Sequence, residues 1–397
     1  MQFNFDKEET ILYAIQKLCF YMGFLYDNNS WASIFLVLKA VIMVLLSFLH
    51  FTLAIILDSE KVGRLSLMEI FHYSTVEGYS LLVVLSFVYK SKQIKLFRQA
   101  LSEEIKQRKM LLTPRQEKIT IDLNKFLEIF WKYAYGFIIV VGFLTLVRRP
   151  LFDRGSAMAT CYEGWLWFEV DTWPKWAGVA IFHVLIAVHT VHIQYLSMIS
   201  LTTHVKYLGS LCEILAVYIK DSFERNYYDE LNLSYKKYIS REKFIKMRVS
   251  KIIQQHQRLL SLIDMFKDLY NAFLLSVALV TGLVICTLIY IVTDPNSSTT
   301  LIIQCTSLLA VEGTYVSIYC WVGQQLTDKC AVIRNAIFDI AWYDLPISEQ
   351  KSLLNIMIAC TKDQVLMASG LQEFSMKGLS ELLKATFSCF NMLKAIR

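Results

Sequence analysis

The chain has 397 residues, of which 55% are hydrophobic and 19% charged, with only 14 Gly and 5 Pro. Its mean hydropathy of +0.42 excludes intrinsic disorder and fits a water-soluble enzyme poorly. The net charge of +6 is informative only by location, because membrane proteins concentrate Lys and Arg on one side.

Met1 to Thr10 carry Asp6, Lys7, Glu8 and Glu9, so no cleavable signal peptide is read there. Ile11–Tyr26 has helical apolar spacing but is too short to span, and reads as an amphipathic helix lying on the membrane or the bundle. A span needs roughly 20 apolar residues. Seven stretches meet or approach that length: Ser33–Ile56, Leu67–Tyr89, Phe130–Val147, Trp176–Leu201, Ala272–Val292, Leu301–Val322 and Ala368–Ile396. The second and seventh are the least clean, because both hold ionisable residues. The fold class predicted is an all-α membrane protein with seven transmembrane helices.

Lys and Arg crowd the loops after the second, fourth and sixth spans, while the alternate loops hold only Lys61, Arg64, Arg148, Arg149, Arg154 and Lys175. Basic loops stay in the cytoplasm. The N-terminus is therefore expected inside and the C-terminus outside. That orientation opposes a rhodopsin-like receptor, and neither a DRY triplet nor an NPxxY is present. Ser240–Lys267 continues the helical spacing amid many charges, so helices are expected to extend into a cytoplasmic anchor. Ser348 is read as the N-cap of a helix over Glu349–Thr361. The division expected is an N-terminal segment (1–32), spans one to four as a ligand-binding bundle (33–201), a cytoplasmic helical extension (202–271), spans five and six (272–322), a cytoplasmic anchor (323–366) and a pore-lining seventh span (367–397).

On that last helix Glu373, Lys377, Glu381 and Lys384 share one face, continued by Ser388, Asn391 and Ala395. Hydrocarbon does not tolerate such a stripe, so it meets water or protein. One helix with one wet face cannot enclose a channel, but several copies around an axis can. The alternatives are charges paired i to i+4 below the membrane, and a polar helix–helix contact for Ser388, Asn391 and Ala395.

His72, Tyr73, Val76 and Glu77 of the second span, Tyr135, Ile139, Val140 and Phe143 of the third, Phe182, His183 and Ile186 of the fourth, and Leu308 and Glu312 of the sixth could line an apolar pocket with a few polar groups, the usual form of a small-molecule site. Ordinary interhelical packing is the alternative for each. His189 and His192 form an HxxH without a third ligand, so no metal is expected. The nine Cys lie mostly in or near apolar segments and form no disulfide framework. No catalytic constellation and no cofactor-binding loop is found, so an enzyme is not expected. Basic loops without stacking motifs argue against nucleic acid. No internal repeat of the transporter type is seen.

Tyr319-Cys320-Trp321-Val322-Gly323-Gln324-Gln325-Leu326-Thr327-Asp328, then Ala336, Trp342-Tyr343, Leu345-Pro346, Ala368-Ser369-Gly370 and Leu383-Lys384-Ala385-Thr386-Phe387-Ser388 together resemble the insect odorant receptor family. The resemblance covers roughly the last 85 residues of the chain, and elsewhere it rests on topology and loop length. It implies a ligand-gated, non-selective cation channel of four subunits in the plasma membrane of olfactory neurons, with a small volatile as ligand and an obligate co-receptor as partner. It also implies an anchor, to which Trp342, Tyr343, Leu353 and Met357 are assigned, and a last helix at the pore. Matched from the C-terminus, the family's gate falls on Met392, with Ile396 near the outer mouth, whereas the stripe favours Asn391 and Ala395. The chain is similar to the odorant-specific subunits, since it lacks the long fourth-loop insertion of the co-receptor. It also departs from gustatory relatives, whose last helix carries TYxxxxxQF. A metabotropic receptor and a gustatory-type homomeric channel are the alternatives.

Overall fold

The structure, a computed structural model, describes residues 17, 31–57, 59–60, 63–109, 113–152, 160–162, 164–223 and 240–395. The amphipathic helix expected at Ile11–Tyr26 (Lys17 aside) and the mouth residue Ile396 lie outside the described residues. Among the described residues the chain is almost wholly helical. The helices are α1 (Trp31–Leu57), α2 (Arg64–Tyr89), α3 (Ser91–Lys109), α4 (Pro114–Phe152), α5 (Trp173–Ser222), α6 (Arg241–Val292), α7 (Thr299–Phe338), α8 (Ile347–Ala359) and α9 (Met376–Ala395). The two strands, β1 (Met367–Ala368) and β2 (Gln372–Glu373), pair antiparallel.

Among the described residues five helices, α1, α4, α5, α6 and α7, are long and apolar enough to cross a membrane. Their surfaces explain why. On α1, Val37, Ala40, Val44, Ser47, Phe51 and Ala54 are buried at helical spacing, while Phe35, Leu38, Ile42, Leu45 and Leu49 are exposed. A helix apolar all round with one open flank is suited to hydrocarbon. α2 inverts the rule of soluble proteins: it buries Glu69, His72, Ser74, Glu77 and Ser80 and exposes Phe71, Leu82 and Leu85. Its charges lower its overall hydropathy, yet Glu77 points inward, bonded to Ser47 of α1 and Thr190 of α5. α9 has the length of a span, 20 residues, or about 30 Å, and packs on α6 and α7.

α5, α6 and α7 run 50, 52 and 40 residues. At 1.5 Å per residue the longest reaches about 78 Å, more than twice a hydrocarbon layer of about 30 Å. Arg241–Val292 is one continuous helix, so Ser240–Lys267 does continue the helical spacing without a break. Leu211, Leu215, Val249, Ile252, Phe266, Leu326 and Ile337 are buried in one continuous core. Tyr270 sits at its upper end, its hydroxyl 2.9 Å from Ser200 Oγ and 2.8 Å from His204 Nδ1.

The helix starts follow local chemistry. Pro114 opens α4, and the Thr113 N–H donates to Gln116 Oε1 at 3.0 Å, one arm of a capping box with proline at the first helical position. Ser240 and Ser298 cap α6 and α7 by accepting the Lys243 and Leu301 N–H groups.

Two boundaries differ from expectation. α8 begins at Ile347 after Pro346, so Ser348 lies inside it and donates to Glu349 Oε1 instead of capping. Gln350 Nε2 ties the start of the helix down, donating to the Tyr343 and Leu345 carbonyls at 2.7 and 2.8 Å. The last helix begins at Met376 rather than Ala368. The residues before it form the hairpin, whose turn puts Ser369 at φ 49° and Gly370 at φ 74°. Two consecutive positive φ values are the tight-hairpin pattern, which helical periodicity does not announce. Phe374 crosses α7 so closely that a Cβ on Gly323 would meet its carbonyl oxygen at 2.0 Å.

Candidate functional site

A cavity of about 90 Å³ lies among α1, α2, α4, α5 and α7. That is about six to nine times the room one water needs. Its wall is mostly apolar, with Val76, Ile138, Val141, Ile186, Leu308 and Val311. Its polar groups are few. Glu77 is held by Ser47 Oγ at 2.8 Å and Thr190 Oγ1 at 2.5 Å. The Tyr73 hydroxyl accepts from Gln304 Nε2 at 2.7 Å and lies 3.4 Å from Glu69 Oε1. Buried His72 Nδ1 and the Tyr315 hydroxyl have no hydrogen-bond partner among the described residues. An apolar chamber with a small number of unsatisfied polar atoms suits a small organic molecule with one polar group.

The cavity collects His72, Tyr73, Val76, Glu77, Ile186, Leu308 and Glu312 of the sequence-derived set. It does not collect the third-span group. Tyr135, Ile139, Val140 and Phe143 lie on a flank of α4 turned away from the cavity and are exposed, Phe143 at 62%. Ile138, Val141, Gly142 and Thr145 line the wall instead, a rotation of roughly a third of a turn. The reason is compositional: α4 is apolar on all sides at this depth, so periodicity carries no phase. Tyr135 reaches His192 of α5 instead, at 3.3 Å. Phe182 and His183 also stand off the cavity. Phe182 packs against a neighbouring cluster with Phe51 and Tyr162, and His183 is wholly buried beside His50.

Sequence reasoning missed Phe51, Tyr162, Thr190, Gln194 and Tyr315. One signal for them existed. Ile186, Thr190 and Gln194 recur every fourth residue on an otherwise apolar stretch of α5, the trace of a helix face turned toward something polar. Tyr162 comes from the loop between α4 and α5, and no helical pattern points to it. Its ring sits 4.8 Å from that of Tyr73, and its hydroxyl is 3.3 Å from Thr145 Oγ1. Gly142 lets α4 approach α5, since a Cβ there would stand 3.1 Å from Val191 Cγ2.

α9 presents a second feature. Its buried residues are Gly378, Leu382, Thr386 and Phe390, one narrow line along the helix. Lys377, Glu381, Lys384, Ser388, Asn391 and Ala395 are all exposed, on the flank directly opposite that line. Leu383, Phe387 and Met392 are exposed as well. The contact is a single ridge, which leaves both flanks of the helix open. Lys377 Nζ lies 3.8 Å from Glu381 Oε1, an exposed i,i+4 pair of little energetic weight.

The residues assigned to an anchor divide. Leu353 and Met357 face this chain's own core, Trp342 is half-buried against it, and Tyr343 is exposed. Phe338, Ile347, Leu354 and Ile358 are exposed nearby.

Comparison with known proteins gives this architecture a family. Odorant receptor 10 of Aedes albopictus is 20% identical over 150 residues, 38% of this chain and 40% of that protein, so the match spans less than half of the relative's length. The olfactory receptor OR5 of Machilis hrabei, alone and in complex with eugenol, has the same fold. Each structure gives a TM-score of 0.78 at 11% identity, covering 99% of this chain and 100% of the other. The 7tm Odorant receptor family profile matches residues 66–387, which is 322 of the 397 residues, and the chain therefore belongs to the seven-transmembrane odorant receptor family.

Proposed function

We propose that this protein is the odorant-specific subunit of a heterotetrameric, odorant-gated, non-selective cation channel, and that it works with co-receptor subunits in the plasma membrane of olfactory sensory neurons. The observation that carries the reading is the polar flank of α9, turned away from the subunit that holds it. In a bilayer such a flank is costly against lipid, and it is satisfied where α9 helices of several subunits surround a water-filled axis. Ser388, Asn391, Met392 and Ala395 then face the conduction path, with Ile396 beyond them. In this reading residues 33–201 form the ligand-binding bundle and residues 202–271 and 323–366 the cytoplasmic anchor. The N-terminus is inside and the C-terminus outside.

The ligand is a small volatile held in the cavity beside Tyr73. It opens the channel only if it binds the open state more tightly, because equal affinity for both states shifts nothing. Lys394, exposed near the end of α9, is awkward for cation conduction, so co-receptor subunits supply most of the pore lining. The test is current recording in excised patches with an odorant panel, with and without a co-receptor. Odorant-evoked cation current that needs the co-receptor and persists without nucleotide is the expected result. Current that requires GTP, together with an N-terminus labelled from outside, points to a metabotropic receptor. Robust current from this chain alone points to a homomeric channel.

A further inference from the structure

The loop between α4 and α5 is tied to the bundle by two imidazoles that do not line the ligand cavity. His50 of α1 and His183 of α5 are 6% and 0% exposed, and their Nε2 atoms lie 3.1 Å apart. His50 Nδ1 is 2.8 Å from the Trp165 carbonyl oxygen, and the Trp165 N–H donates to the His50 carbonyl at 2.9 Å. His183 Nδ1 accepts from the Tyr162 N–H at 3.4 Å. Between these two anchors, a Cβ on Gly164 would fall 1.9 Å from His50 Nε2, so the loop is pressed against the ring.

The proton positions follow from the partners. A carbonyl only accepts, so His50 Nδ1 carries a hydrogen. A backbone N–H only donates, so His183 Nδ1 is bare. A neutral imidazole has one N–H, so His183 carries its hydrogen on Nε2 and donates to the bare Nε2 of His50. The chain from the Tyr162 N–H through both rings to the Trp165 carbonyl is then complete, and only with both rings neutral. One added proton sets an N–H against the Tyr162 N–H, or two N–H groups against each other between the rings. Either way an anchor is lost.

We infer that His50 and His183 are positioning residues for odorant binding: when neutral they hold Tyr162 against the cavity, and acidification of the outer solution releases it. Tyr162 lines the cavity, so its release opens one wall. Of the titratable groups around the pair among the described residues, α2 contributes Tyr73 and, further along, Glu69, His72 and Glu77. The described loop residues contribute Cys161 and Tyr162. From α4, the Thr145 hydroxyl bonded to Tyr162 does not titrate. The effect on affinity rests on the odorant-receptor reading, whereas the strap itself does not.

Two measurements separate them. In the intact channel complex, odorant sensitivity is followed from external pH about 7.5 to about 4.5, through and below the ordinary imidazole range, since both rings are buried. The wild type is expected to lose sensitivity on the order of tenfold. His183→Asn, whose amide oxygen still accepts from Tyr162 and takes up no proton, is expected to keep a constant EC50. In detergent-solubilised complex, Cys161 is labelled with a methanethiosulfonate and quantified by mass spectrometry. It is buried beside Tyr162. The wild-type rate is divided by the His183→Asn rate at each pH, which cancels the ionisation of the thiol. That ratio is expected to rise several-fold on acidification, and Gly164→Ala is expected to label fast at both pH values. A ratio that stays level with pH overturns the strap, as does an EC50 that moves equally in wild type and His183→Asn. A rising ratio without odorant response at either pH supports the strap and counts against the odorant reading.

Discussion

Tyr73 joins three parts of the candidate site, because its hydroxyl reaches α7 through Gln304 while its ring packs on Phe51 and Tyr162. Tyr73→Ala removes the ring wall and leaves the Gln304 amide buried without that acceptor, a loss worth about 1–3 kcal/mol. The expected outcome is a changed order of preferred odorants, read as EC50 across a panel at unchanged surface expression. Phe143→Ala, on the exposed flank of α4, is expected to leave that order intact. A second residue-scale prediction concerns the helical extension. Burial lowers the His256 imidazole below its ordinary range. Burial also pushes the Cys360 thiol up to about 11, with Cys330 nearby adding to the rise. The thiol and His256 Nε2 are 3.4 Å apart, which suits a neutral pair. As pH falls through the ordinary histidine range, the unfolded chain takes up this proton before the folded one. The stability contribution is therefore complete above that range and declines below it. The melting temperature of purified receptor is expected to drop on acidification, and to drop less in His256→Gln.

At the scale of the element, α9 shows how far patterning reaches. Its polar stripe is legible, since Lys377, Glu381, Lys384, Ser388 and Asn391 repeat at helical spacing. In the structure only Leu382, Thr386 and Phe390 of that stretch form the ridge, while Leu383 and Phe387 stay open. Periodicity separates polar from apolar, but it cannot divide apolar surface between a neighbouring helix, lipid and another subunit. Cysteines introduced one at a time report the difference. Asn391→Cys and Met392→Cys are expected to react with an external thiol reagent and change the current, and Phe390→Cys, on the buried ridge, is not. Equal reactivity at all three positions would remove the argument for a wet flank. Gly323 adds a steric prediction. Gly323→Ala forces α7 away from the Phe374 carbonyl, an overpacking cost of about 1–3 kcal/mol, to be seen as a lower melting temperature.

For the whole molecule, two exposed surfaces bear on assembly, α9 and the residues Phe338, Tyr343, Ile347, Leu354 and Ile358 around α8. In the proposed topology these residues lie in the cytoplasmic anchor, where exposed apolar residues mark association surfaces. Ile358→Glu is expected to leave the isolated subunit folded and shift the purified complex toward smaller species, measured by native mass spectrometry. Leu353→Ala differs, because Leu353 is buried in its own subunit. It is expected to lower the melting temperature, by about 2–5 kcal/mol of stability.

The sequence by itself determined the all-helical membrane class, the continuation of helical spacing over Ser240–Lys267 and the polar stripe of α9. Each of these depends on composition or on spacing along one helix, and a single chain contains that information. Only the tertiary structure decided which face of α4 meets the cavity and that Tyr162 closes it. It also decided that the approach to α9 is a hairpin and that His183 pairs with His50. Those outcomes depend on which helix lies opposite which, and in a bundle whose members are apolar on every side that choice is made by packing between distant segments.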